Sequence, residues 1–186
     1  MSRFLGTLPK LTSLAAAILV LLVGPAVVMA QDVANGSATA TVLTALSVTA
    51  TAPLAFGNVL QGVPKSVAKT DAAAGIFTIN GAANAGIAMY MQLPDYVELA
   101  DGSDRMVIAF GATDANVDTT GGGDPTAFVA ADGYEDQDPH NLPNGANLSD
   151  AGAANIFLGG RVVPTVDQTA GAYSGEIILT VAYNGS

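Results

Sequence analysis

The chain has 186 residues, with 16 acidic residues against six basic, a formal net charge of −10, and neither cysteine nor tryptophan. Such a negative field opposes binding to nucleic acid or anionic lipid. The absence of cysteine excludes disulfides, thiol catalysis and cysteine-ligated metals.

The N-terminus carries a targeting pattern. Arg3 and Lys10 precede an uncharged apolar run over residues 14–23, LAAAILVLLV, which Gly24 and Pro25 break. Val28, Met29 and Ala30 then offer small or apolar residues where a signal peptidase reads. This predicts a cleavable signal peptide over residues 1–30 and export of the remainder. A membrane anchor competes with it, because residues 11–30 are long enough to cross about 30 Å of hydrocarbon. The Gly-Pro break and the small-residue exit favour cleavage. No later stretch is predicted to span a membrane as a helix. All the acids follow residue 30 while two of the six basic residues precede it, so the exported part is more acidic than the whole. Its length suits one domain, residues 45–186, behind a small, polar, mobile segment at 31–44.

Short apolar runs broken by turn residues predict an all-β sandwich or barrel. The first strand is expected near Val42, Leu46, Val48 and Ala50, ending at Pro53. Residues 63–68 form an expected edge strand, marked by Pro64, Lys65 and Lys69. A short strand at Ile76–Asn80 ends at Gly81. Ile87, Met89, Met91 and Leu93 alternate cleanly, the mark of a half-buried strand. Residues 96–99 and 106–110 predict a hairpin around Asp101-Gly102, a pair that tolerates positive φ, with Met106, Ile108 and Phe110 facing inward.

From residue 113 to 153 the alternation fails, and the stretch is expected to be a long acidic insertion, either functional or disordered. Phe128 and Val129 are candidates to pin it to the sheet, and Ser149 or Asp150 to cap one helical turn. Pairing is expected to resume at Ile156–Leu158, with a bulge at Gly159-Gly160, and to continue over residues 161–166. The last strand is the best patterned. From Tyr173 on, the inward positions are Ile177, Leu179, Val181 and Tyr183, with Ile178 alone breaking the alternation.

Candidate chemistry is sparse. His140 is the one histidine, and no nucleophile signature accompanies it. Asp132, Glu135, Asp136 and Asp138 lie within seven residues of one another. They are a candidate oxygen-ligand set for Ca²⁺, although the spacing is not that of an EF-hand; solvated turn acids are the competing account. No other cofactor is expected.

Three stretches taken together carry a resemblance: PLAFGNVLQG at 53–62, GIFTINGAANAGIAMYMQL at 75–93 running into RMVIAF at 105–110, and LGGRVVPTVDQTAGAYSGEIILTVAYN at 158–184. In this order they resemble the secreted bacterial domain of unknown function 4402, which is similar in pattern to the spore coat protein U domain and to chaperone–usher pilins. The resemblance implies an immunoglobulin-like antiparallel β-sandwich, a surface or periplasmic location and no catalytic residues. By the pilin analogy it implies a homopolymer built by strand donation, with a periplasmic chaperone and an outer-membrane usher as partners. In that mode a neighbour's extended segment fills the groove of an incomplete sandwich. The donor candidates are Val33, Ala38, Ala40 and Val42. The receiving candidates are Ile177, Leu179, Val181 and Tyr183. The same N-terminal segment reads equally as a tail or as the sandwich's own first strand. A non-enzymatic structural or surface protein is the leading expectation, ahead of a secreted binding module using the acidic stretch and of a small hydrolase using His140.

Overall fold

Alternation of apolar and polar residues sends successive side chains to opposite faces of a strand, and thirteen short strands form on that basis in the computed structural model, which describes residues 34–185. In chain order they are β1 (Ser47–Ala52), β2 (Lys65–Val67), β3 (Gly75–Asn80), β4 (Gly86–Gln92), β5 (Tyr96–Leu99), β6 (Arg105–Ala109) and β7 (Ala115–Asp118). Two 3₁₀ turns at Pro125–Ala127 and Ala130–Asp132 follow. Then come β8 (Gly133–Gln137), β9 (Ala146–Asn147), β10 (Ala153–Leu158), β11 (Gly160–Val163), β12 (Tyr173–Ser174) and β13 (Ile178–Tyr183). The signal-peptide expectation and Val33 lie outside the described residues. The fold is that of the unit from Thr41 onward; residues 34–40 belong with the preceding part of the chain.

All strand pairs are antiparallel and make three sheets, ordered β1-β3-β10-β7-β8, β12-β5-β6-β11-β2 and β13-β4-β9. The all-β expectation therefore holds. The main core lies where the first sheet packs on the third. Phe77, Ile79, Val117, Ile156 and Leu158 meet Ile87, Met89, Met91 and Leu148 there. A smaller core of Val97, Met106, Ile108 and Val162 lies on the second sheet.

The first and second sheets are joined without a loop. β10 crosses from one to the other through Gly159 and continues as β11. A Cβ on Gly159 would stand 2.7 Å from both the Val67 carbonyl oxygen and the Lys69 nitrogen. Glycine is thus the only residue that lets these backbones approach at the crossing.

Several expectations need correction. The first strand starts at Ser47, not at Val42. Val42 is 94% exposed, Leu43 is exposed too, and neither lies in a strand. The stretch at 113–153 is not one long loop. It contributes β7, β8 and β9, and every residue of β7 is buried. Its alternation fails because β7 is covered on both faces. Val117 enters the main core, while Asn116 and Asp118 lie beneath the 119–132 segment, where Phe128 stands edge-on to Phe157 at 6.1 Å. Asp118 is satisfied there by the Thr120 N–H, the Thr120 hydroxyl and the Gly121 N–H. Ser149 and Asp150 cap no helix; the chain instead turns, with the Gly152 N–H donating to the Ser149 carbonyl at 2.8 Å. The closing run is two strands rather than one. β12 pairs with β5 in the second sheet, and after three residues β13 pairs with β4 in the third.

Leu148, 2% exposed, lies within the stretch whose sequence reads as a loop. Leu148→Ala is expected to lower stability by about 2–5 kcal/mol, whereas Val129→Ala, at an exposed position in the same stretch, is expected to change it by less than about 0.5 kcal/mol. Urea melts of the two variants check this.

Candidate functional site

Six strands stand at sheet edges among the described residues, and two of them, β1 of the first sheet and β13 of the third, lie near one another. Among the described residues, β1 pairs with β3 alone and β13 with β4 alone. The alternation of β13 turns Ile177, Leu179, Val181 and Tyr183 towards the main core, yet all four are only half-buried. β1 is largely exposed, with Val48 at 37%. A sheet edge with free N–H and C=O groups beside a half-covered apolar face is a template for another strand.

The seam between β1 and β13 is closed at one end. The Tyr183 hydroxyl donates to the Thr44 carbonyl oxygen and accepts from the Ala82 N–H, both at 2.6 Å. Leu46 packs in beside it, and a Cβ on Gly81 would fall 2.5 Å from the Tyr183 oxygen. At the other end the seam widens into a cavity of about 990 Å³. Ala50 and Ala52 of β1, Phe77, Ile108, Gly175 and Ile177 are among the residues that line it.

A polar network holds the far wall. Gln168, 5% exposed, donates through Nε2 to Asp104 Oδ2 at 2.7 Å and to the Tyr173 hydroxyl at 2.9 Å. The Thr169 N–H reaches the same Asp104 oxygen at 2.8 Å. The Tyr173 proton has two acceptors, Asp104 Oδ2 and the Thr169 carbonyl oxygen. The Thr169 N–H, and after it the Tyr173 hydroxyl, hold the Asp104 carboxyl far below the usual carboxylate range. Burial, and after it the hydrogen bond to Asp104 and the Asp104 charge, push the Tyr173 phenol up. No pattern in the sequence marks this set, because its members are 64 to 69 residues apart where they meet across the network.

The donor candidates Ala38, Ala40 and Val42 are exposed and lie in a stretch, residues 34–46, with no regular secondary structure. The four candidate Ca²⁺ ligands are not brought together. The Asp132 carboxylate accepts from the Val129 N–H, closing its own turn. Asp136, at a positive φ of 56°, pairs with Lys69, which also donates to the Thr113 carbonyl oxygen. Asp138 accepts from the His140 N–H and pairs with His140 Nδ1 at 3.1 Å. Glu135 is exposed on β8. Among the described residues there is no group of three or more acidic, histidine or cysteine side chains able to hold a metal ion. His140 is itself exposed and stands edge-on to Phe110 at 6.5 Å.

No protein-family model, curated protein or solved structure matches this chain. The likeness to the domain of unknown function 4402 therefore rests on its three sequence motifs.

Because the Asp104 pKa is depressed in the folded state, its contribution to stability is complete above the ordinary aspartate value of about 3.9 and is lost as pH falls towards the folded value. Asp104→Asn is expected to melt below the wild type at pH 7, and the gap between them to narrow as the pH is lowered from about 4 to 2. Thermal melts of both proteins across that range check the sign.

Proposed function

We propose that this protein is an exported, non-enzymatic structural subunit whose immunoglobulin-like sandwich lacks one strand, and that copies assemble head to tail by strand donation into a thin fibre. The observation that carries this reading is the free edge of β13. Its inward side chains are half-buried, and it flanks a seam that opens into a cavity of about 990 Å³. A protein with no use for that edge is expected to shorten it, charge it or cover it. β13 instead runs six residues, Ile178–Tyr183, with no charged side chain.

The proposed occupant is the N-terminal segment of a second copy. Residues 34–43 are exposed and unpatterned in the structure, and they carry no charge and no proline. Nothing in them opposes an extended strand. Main-chain hydrogen bonds to β13 would supply affinity, and alternate side chains entering the seam would supply fit. A periplasmic chaperone that covers the β13 edge before assembly, and an outer-membrane usher, are the partners this route calls for. The acidic surface keeps unassembled subunits apart.

Removing residues 31–43 leaves Thr44 in place to meet Tyr183. The truncated chain is expected to remain a folded monomer and to form no fibres by negative-stain microscopy. Addition of a synthetic peptide of residues 34–43 is expected to raise its melting temperature by several degrees in proportion to occupancy. Fibres that persist after the truncation would sink the reading.

A further inference from the structure

The outward face of the third sheet carries a groove of its own. Strand alternation buries Ile87, Met89 and Met91 of β4 and turns Leu179 and Val181 of β13 inward. Ala88 and Tyr90, and Thr180 and Ala182, therefore face out. Tyr90 stands opposite Thr180, and Ala88 opposite Ala182. Two alanines beside a large ring leave a hollow on the sheet. Ala88, Ala182, Tyr90 and Thr180 all line a groove of about 300 Å³ there.

Most of the remaining lining comes from the turn between β8 and β9, through His140, Asn141, Leu142 and Asn144. That turn is anchored at several points. Pro139 and Leu142 are buried. The Asp138 carboxylate accepts from the His140 N–H and the Asp138 carbonyl from the Asn141 N–H, both at 2.9 Å. The Gly145 N–H donates to the Ile87 carbonyl of β4 at 3.1 Å. Asp138 Oδ1 also lies 3.1 Å from His140 Nδ1. A carboxylate only accepts, so Nδ1 carries the proton and Nε2 of the neutral ring remains an acceptor. The side chains of Tyr90, Asn141, Asn144 and Thr180 are exposed and have no hydrogen-bond partner among the described residues.

These groups are complementary to one class of ligand. An exposed aromatic face, negative at its centre, attracts the C–H face of a sugar ring, and Tyr90 is 64% exposed. A sugar hydroxyl both donates and accepts. Two amides, a hydroxyl and an imidazole acceptor match that double capacity, whereas a wholly apolar ligand gains nothing from them. No lysine, arginine or carboxylate lines the groove, and the chain carries a net charge of −10. An anionic ligand therefore meets no counter-charge. The volume lies at the low end of the roughly 300–1,000 Å³ of small-molecule sites, which suits a single ring. We propose that this groove binds one ring of a neutral glycan, with Tyr90 as the stacking platform and His140, Asn141, Asn144 and Thr180 as hydroxyl partners. The site does not rest on strand donation. It lies on the outward face of β13 and not along its edge, so it serves a monomer and an assembled subunit alike.

Amide NMR of the protein, titrated with the methyl glycosides of glucose, galactose and mannose, tests this. At least one glycoside is expected to shift amides within residues 88–90, 140–144 and 180–182, with a Kd on the order of 1–10 mM. The methyl glycoside of glucuronic acid is expected to bind about tenfold more weakly or worse, for want of a cation. Tyr90→Ala is expected to abolish the shifts, and Tyr90→Phe, which keeps the ring, to retain them. Asn144→Ala is expected to weaken binding by about tenfold. Tyr90 and Asn144 are exposed, and an unchanged amide spectrum away from the groove shows that each variant is folded. The proposal is overturned if none of the three glycosides shifts these amides at about 50 mM, or if Tyr90→Ala binds as the wild type does. Tighter binding of the glucuronide, or of adenosine as a flat aromatic competitor, would overturn it equally.

Discussion

The close approach of two backbone segments at Gly159 is the constraint on which the rest of the structure depends. β10 is buried along almost its whole length in the first sheet, and the chain then passes through Gly159 to become β11 in the second. Val67 and Lys69 lie so near that no side chain fits at the crossing. One continuous stretch thereby belongs to two sheets.

The opposite side of the fold lacks such a tie. There β1 of the first sheet and β13 of the third lie side by side as edge strands, and the Tyr183 hydroxyl bonds to Thr44 and Ala82 at one end. Away from that pin the seam gapes, and apolar residues that a completed sheet would bury are left half-covered. Unpaired backbone groups and half-covered apolar side chains on one edge are costly to leave open to water. The proposed strand donation is the arrangement that satisfies both. The Asp104–Gln168–Tyr173 network ties Gln168 and Tyr173, which line the cavity, to the start of the second sheet's β6.

Much of the fold was legible from side-chain alternation. β4, the β5–β6 hairpin and the inward set of β13 each have one apolar and one polar face, and each was readable for that reason. β7 was illegible because it is buried on both faces, with Asp118 satisfied by a local turn and Asn116 Oδ1 accepting from the Asp136 N–H of β8 while its Nδ2 is buried without a partner. The two-sheet path of the closing run was hidden for a related reason. Tyr173 and Tyr183 obey one alternation, although Gly175 and its neighbours carry the chain from the second sheet to the third between them. In the acidic stretch, closeness in sequence was misleading: Asp132, Asp136 and Asp138 each find a different partner, so four neighbouring carboxylates do not converge.

By itself, the order of residues determined an all-β chain, the inward positions of its best-patterned strands, and an N-terminal segment of small, uncharged residues. These are local properties, set by the period-two geometry of a strand and by the size of each side chain. Only the tertiary structure decided that β13 is an edge, that Tyr183 closes one end of its seam, and that a cavity opens at the other. An edge is defined by the strand that is not beside it, and a pin between Tyr183 and Thr44 joins residues 139 apart. No local pattern encodes either.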